Sequence, residues 1–168
     1  MLHRLNFVYA VLAAVVLFAG ALYAGDMEDT NTAQMKKFYQ EVVNNGKLDL
    51  IDDMCTADFI EHEELPGAPK GREGVKEWFK MFRAAFPDLK FKTEMMIAKD
   101  DMVITYVTMT GTHKGEFMGK PASGKTINVP GVDFIRFVDG KAVEHWGVTD
   151  TGAMMRQISD MPKKEMKK

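Results

Sequence analysis

Cysteine is nearly absent from this 168-residue chain: Cys55 is the only one. No internal disulfide is available to it, so stability has to come from packing. Cys55 sits among Leu50, Ile51 and Met54, an apolar helical setting that suits an inert buried thiol better than a nucleophile. Positive charge is not in excess either. There are 22 Lys and Arg against 24 Asp and Glu, a formal net charge of −2, which predicts no general affinity for nucleic acid. A phosphate-binding glycine loop, a Ser-His-Asp arrangement and zinc-ligand spacing are all missing. Nucleotide use, triad hydrolysis and metal hydrolysis are thereby disfavoured, and no metal or other cofactor is expected. His62 has glutamates at 61, 63 and 64 beside it, but no third ligand stands at a fixed spacing. Internal repeats and low-complexity segments are also absent. What remains, if the chain is an enzyme, is cofactor-free acid/base chemistry.

One long apolar run is present. Residues 7–24 contain no charged side chain and follow a short start that carries Arg4 and no acid. That is the layout of a secretory signal, with Ala19-Gly20-Ala21 giving small-x-small spacing and Ala24 a second cleavage site. The run is also long enough for an uncleaved membrane anchor. The first alternative makes the protein secreted or periplasmic; the second tethers a domain outside the cytoplasm. The expected organisation is signal or anchor over 1–24, a polar linker over 25–31, one domain over 32–160 and a flexible basic tail over 161–168. The 14 methionines suit adaptable packing around a core or an apolar ligand.

Periodicity divides the domain in two. Ala33, Met35, Phe38, Tyr39, Val42 and Val43 are spaced for an amphipathic helix that stops at Asn44-Asn45-Gly46. A shorter helix is predicted over Leu48 to Met54, then an extended piece around Phe59 to Glu63 and a loop over 65–69. Gly71 to Phe86 is helical again, with Val75, Trp78, Phe79, Phe82 and Phe86 on one stripe before Pro87. After Pro87 the period becomes 2. Strands are predicted over 89–97, 102–113, 126–138 and 141–149, with a bulge or bend at Pro130-Gly131. Asp139-Gly140 is the clearest hairpin signal, and a last helix covers 151–158. Helices followed by antiparallel strands make an α+β domain; a curved sheet with helices over its concave face would enclose a pocket.

The run Gly111-Thr112-His113-x-Gly115, with Gly119, Gly124 and Lys125 further on, resembles the SnoaL-like polyketide cyclases, or ester cyclases, of the NTF2-like superfamily. The closing run from Arg136 to Asp150, RFVDGKAVEHWGVTD, resembles the same family. FYQEVVNNGKLDLIDDM, DFIEHE, GREGVKEWF and AFPDL agree with it too, so the resemblance spans about residues 33–160. Pro121-Ala122-Ser123-Gly124 is one residue longer than the family's usual Pro-Thr-Gly turn. The resemblance implies a cone-shaped, strongly curved sheet capped by helices, and a homodimer through the exposed sheet face. It also implies that an acidic residue, matched by position to Asp150, takes an activated proton from an ester and that the enolate closes a ring by aldol addition.

Several residues are candidates for the site. Asp150 lies four beyond Trp146, on the same strand face if the strand runs regularly, where an aromatic wall would raise its carboxyl pKa. It is equally suited to cap the last helix. His113 would polarise an enolate oxygen or make a structural hydrogen bond, and His62 would bond a substrate carbonyl or a buried water. His145 has the opposite parity to Trp146 and is expected to face outward or toward a helix. Arg136 would hold an anionic group or pair with Glu144. Trp78 and Phe82 belong to core bordering the pocket, and Tyr106, Met109, Phe117 and Met118 are candidates to line it. Two functions follow: an exported protein that binds an apolar carbonyl compound and performs cofactor-free aldol-type or isomerising chemistry, or a non-catalytic binding or interaction domain on the same fold.

Overall fold

The computed structural model describes residues 25–63 and 69–159. The proposed signal or anchor, most of the 65–69 loop and the basic tail lie outside them. Among the described residues no helix is long and apolar enough to cross a membrane.

Helix α1 covers residues 25–37 and continues as a π-helix over Phe38–Asn44. Residues 25–31, expected as a linker, are thus its first turns. The polar run hid them, because only the side that meets the sheet needs apolar residues; Glu28 accepts from the Asp100 backbone N–H at 2.9 Å and pins this end to a strand turn. The π-helix turns Tyr39, Val42 and Val43 into the core. Its end is tied down twice. The Asn44 side chain exchanges two hydrogen bonds with the Phe91 backbone, at 2.8 and 3.0 Å, and Arg83 donates to the Val43 carbonyl at 2.9 Å, satisfying an acceptor the helix leaves open.

A 3₁₀ turn at Leu48–Leu50 leads into α2, Ile51–Met54. Strand β1 is Cys55–Glu61, and helix α3 is Gly71–Ala85. Strands β2 (Lys90–Lys99), β3 (Met102–Thr112), β4 (Thr126–Val138) and β5 (Lys141–Thr149) follow, and α4 spans Thr151–Ile158. Together they form one sheet in the order β1-β5-β4-β3-β2, with β1 parallel to β5 and the other pairs antiparallel. The fold is the expected α+β sheet under helices. Asp139 and Gly140 both take positive φ, +49° and +73°, as a two-residue hairpin turn demands.

Two irregularities in the antiparallel ladders decide which side chains face inward; the parallel β1–β5 ladder shifts as well, between Cys55 and Ile60. The ladder passes Pro130 and Gly131 without a register shift. The shifts fall instead between Thr93 and Met95 on β2 and between Arg136 and Phe137 on β4. At the second, Phe137 pairs with Ala142 but Arg136 with Glu144, so Val143 is the extra residue. Beyond it β5 exchanges its faces: His145, Gly147 and Thr149 turn to the helices, while Glu144, Trp146 and Val148 turn away.

The core lies between the inner sheet face and the helices. Phe86 is fully buried, with its ring against Phe82, Phe117 and His113. Truncating it to Ala would cost about 3–5 kcal/mol.

Candidate functional site

The inner face of β1, β4 and β5 and the overlying turns of α1 and α3 enclose a cavity of about 100 Å³. Its walls are largely apolar, with Met35, Phe38, Met54, Trp78, Phe79 and Phe91 among them. Against these stand three carboxyl groups and an imidazole: Glu61, Glu63, Asp133 and His145.

Each is placed by a specific element. β1 delivers Glu61 opposite His145 in the parallel ladder. The bulge at Val143 turns His145 inward, and Asp133 lies two register pairs further along, opposite Gly147 and on the same face. His145 Nδ1 is 2.8 Å from both oxygens of Glu61, and its Nε2 is 3.3 Å from Asp133 Oδ1. Tyr39, carried in by the π-helix, donates to Asp133 Oδ2 at 2.5 Å. The result is a continuous chain, Tyr39–Asp133–His145–Glu61, along the cavity. Exposure of the three charged side chains is only 22 % for Asp133, 16 % for His145 and 12 % for Glu61.

The electrostatics follow from that enclosure. Burial alone would push the His145 pKa down. Hydrogen bonds to Asp133 and Glu61, and then their charges, outweigh it and raise the imidazole to about 10, so it is a cation near neutrality. Burial first, then the charge and hydrogen bond of Asp133, drive the Tyr39 phenol far above its ordinary range. That hydroxyl keeps its proton. Asp133 is left accepting one bond on each oxygen, which leaves a lone pair on each for a ligand. Glu63 is raised by burial, opposed by the His145 charge and helped by Glu61 and Asp133.

The residues singled out from sequence are scattered. Asp150 is exposed and caps α4, with Oδ1 accepting from the Ala153 N–H at 2.7 Å; its capping alternative is the one the geometry displays. Trp146 is on the outer sheet face, its ring stacked 4.8 Å from that of His62, with the Arg136 guanidinium 5.4 Å from the Trp146 ring centroid. His62 is 2.8 Å from Glu144, and Arg136 pairs with Glu144 at 3.0 Å. His113 is fully buried elsewhere, where Nδ1 accepts from the Ser123 N–H at 3.2 Å and holds the 113–125 excursion. Phe82, Met109 and Phe117 are buried core, and Tyr106 and Met118 are exposed. Of the eleven, Trp78 alone lines the cavity. His145 thus takes the helix-facing alternative and lines the cavity, whereas Trp146, expected as a pocket wall, faces away because the bulge adds one residue to β5. Asp133 and Tyr39 were passed over. Their only sequence signals were an acid in the middle of a strand and a phenol on a helix's apolar stripe.

The family model for SnoaL-like polyketide cyclases matches residues 33–158. The chain belongs to that family. It is similar to the nogalonic acid methyl ester cyclase of Streptomyces nogalater, 26% identical over 119 residues covering 70% of this chain and 89% of that one. It is also similar to the aklanonic acid methyl ester cyclase DauD of Streptomyces sp. strain C5, 29% identical over 131 residues, 71% of this chain and 76% of that protein. Among solved structures, a SnoaL-like protein of Jannaschia sp. CCS1 superposes with a TM-score of 0.72 at 28% identity, over 81% of this chain and 96% of that one. Membership supports a small-molecule-binding or cyclase role and the curved-sheet fold.

Proposed function

We propose that this SnoaL-like chain binds a small carbonyl compound in the cavity and removes a proton from the carbon beside the carbonyl, with Asp133 as the general base. The observation that carries the reading is the chain of Tyr39, Asp133, His145 and Glu61 along an otherwise apolar cavity. Asp133 is held at two points and keeps acceptor capacity, the geometry a base needs before proton transfer. The imidazolium of His145 places positive charge beside the developing enolate, and the enclosure makes that charge count for more than it would in water. No cofactor is required for this step. A cavity of about 100 Å³ compares with the roughly 150 Å³ that accommodates benzene. The enclosed part therefore admits no more than one ring, and the rest of any larger polyketide ester, such as those in the names of the relatives, lies outside it. Such a ring could be closed by intramolecular aldol addition.

Ring opening of nitrobenzisoxazole, which begins with removal of a carbon-bound proton, tests the base directly. Asp133→Asn preserves shape and is expected to lower the rate by about 10²–10⁴-fold. Turnover equal to that of the unchanged protein would remove Asp133 from the mechanism. The same reading keeps two expectations from the sequence. The apolar run over 7–24 exports the domain, which fractionation of expressing cells would check. The outer sheet face, where Met95, Ile97, Ile104, Tyr106 and Val148 are exposed, pairs with a second copy, and a monomer mass in solution would refute that.

A further inference from the structure

Among the described residues, Glu63 is the one cavity carboxyl outside the hydrogen-bonded chain. Its backbone N–H donates to Glu61 Oε1 at 2.8 Å, but among the described residues its carboxyl has no hydrogen-bond partner. The position is made by Gly147. A Cβ built there would lie 2.3 Å from Glu63 Oε2 and 3.0 Å from His145 Cε1. Any side chain at 147 would displace the carboxyl, so the absence of one at this inward-facing site of β5 admits Glu63 beside the imidazole. Unlike Glu61, it is not spent on holding His145. It lines the cavity, where its oxygens are available to a ligand.

We propose that Glu63 is the proton donor of this site, delivering a proton from its carboxylic acid to the oxygen that becomes negative after Asp133 has acted. The proposal rests on the reading of Asp133 as base and adds a second, separate role. Two carboxyls in unlike environments divide the labour: Asp133 accepts bonds from Tyr39 and His145, whereas Glu63 accepts none from the described residues. Burial, the largest influence on Glu63, and the neighbouring carboxylates Glu61 and Asp133 favour its protonated form; His145 alone opposes them. In an aldol closure the steps balance. Asp133 takes the proton from carbon, and the C–H electron pair becomes the enolate. The enolate carbon bonds to a second carbonyl carbon, whose π pair moves to oxygen. The O–H proton of Glu63 passes to that oxygen, and the proton on Asp133 returns to Glu63 through solvent.

A pair of probes separates the two roles. In nitrobenzisoxazole the leaving phenolate is stabilised by the nitro group and needs no proton; in unsubstituted benzisoxazole it does. Glu63→Gln is expected to slow the unsubstituted probe by about 10²-fold and the nitro probe by at least about tenfold less. Gly147→Ala, which pushes the carboxyl out, is expected to give the same selective loss. Asp133→Asn is expected to suppress both probes. Equal effects of Glu63→Gln on the two probes, or none on either, would overturn the donor role while Asp133 stands. Full turnover by Asp133→Asn, or no turnover of either probe by the unchanged protein, would instead overturn the base reading and the donor with it.

Discussion

Strands β4 and β5 carry a charged cluster on each face, and the two clusters are built from similar parts. On the inner face Asp133 and His145 meet Glu61; on the outer face Arg136 and Glu144 meet His62. Successive register pairs alternate between them: Phe134 with Trp146 outside, Ile135 with His145 inside, Arg136 with Glu144 outside. Solvent separates their behaviour. His62 is 41 % exposed and His145 16 %. The outer groups can exchange partners with water, so each pair contributes little. The inner groups are largely shielded from water and bonded to one another, so their charges act together and the imidazole is held cationic. One strand pair thus yields a surface patch on one side and a candidate reactive site on the other.

The sharpest way to break this contrast is to remove the residue that creates it. Deleting Val143 would erase the bulge and slide β5 by one position, sending Glu144 and Trp146 inward and His145 out. The expected outcome is loss of all turnover and of a cooperative thermal transition in circular dichroism, because the cavity would receive a tryptophan and an unpaired carboxylate. Retention of both would mean the strand faces are not set at Val143.

That residue also marks where sequence reading stops. The elements were legible because they obey periodicity. The stripe of α3, the alternation of β3 and the Asp139-Gly140 turn each depend on residues close in the chain. Which face of β5 is buried depends on a single extra residue, and Val143 carries no composition cue for it. Pro130-Gly131 offered the cue and the ladder there is regular. The site was less legible still. Tyr39 and Asp133 are 94 positions apart and Glu61 and His145 are 84 apart; only the sheet brings them together. Trp146 next to His145 is conspicuous in sequence yet belongs to the surface cluster.

The paired histidines give the next test. His145→Gln keeps a polar side chain but removes the cation, and is expected to slow nitrobenzisoxazole opening by about 10²-fold. His62→Gln is expected to leave it within about twofold. Equal effects would show that the two faces do not differ in function.

Stability against pH separates them as well. The folded pKa of His145, about 10, is above its unfolded value of 6.5. Its contribution is therefore fully present below pH 6.5 and is lost as pH rises through about 10. Denaturant unfolding should show a loss on the order of 2–3 kcal/mol over that window, reduced for partial contact with solvent. His145→Gln should flatten the curve. An unchanged curve in that variant would place the pH dependence elsewhere.

The smallest effect belongs to the outer cluster. Arg136 is paired with Glu144 and lies over Trp146, but its side chain is 44 % exposed. Arg136→Ala should cost about 0.5–1 kcal/mol, the sum expected of an exposed ion pair and a cation–π contact in water. Most of that difference should vanish in high salt, which screens charges separated by solvent. Turnover should not change, because the side chain points away from the cavity. A cost of several kcal/mol that persists in salt would show the outer face to be covered rather than wetted, and a second copy of the chain seated on it would then be the first occupant to look for by solution scattering.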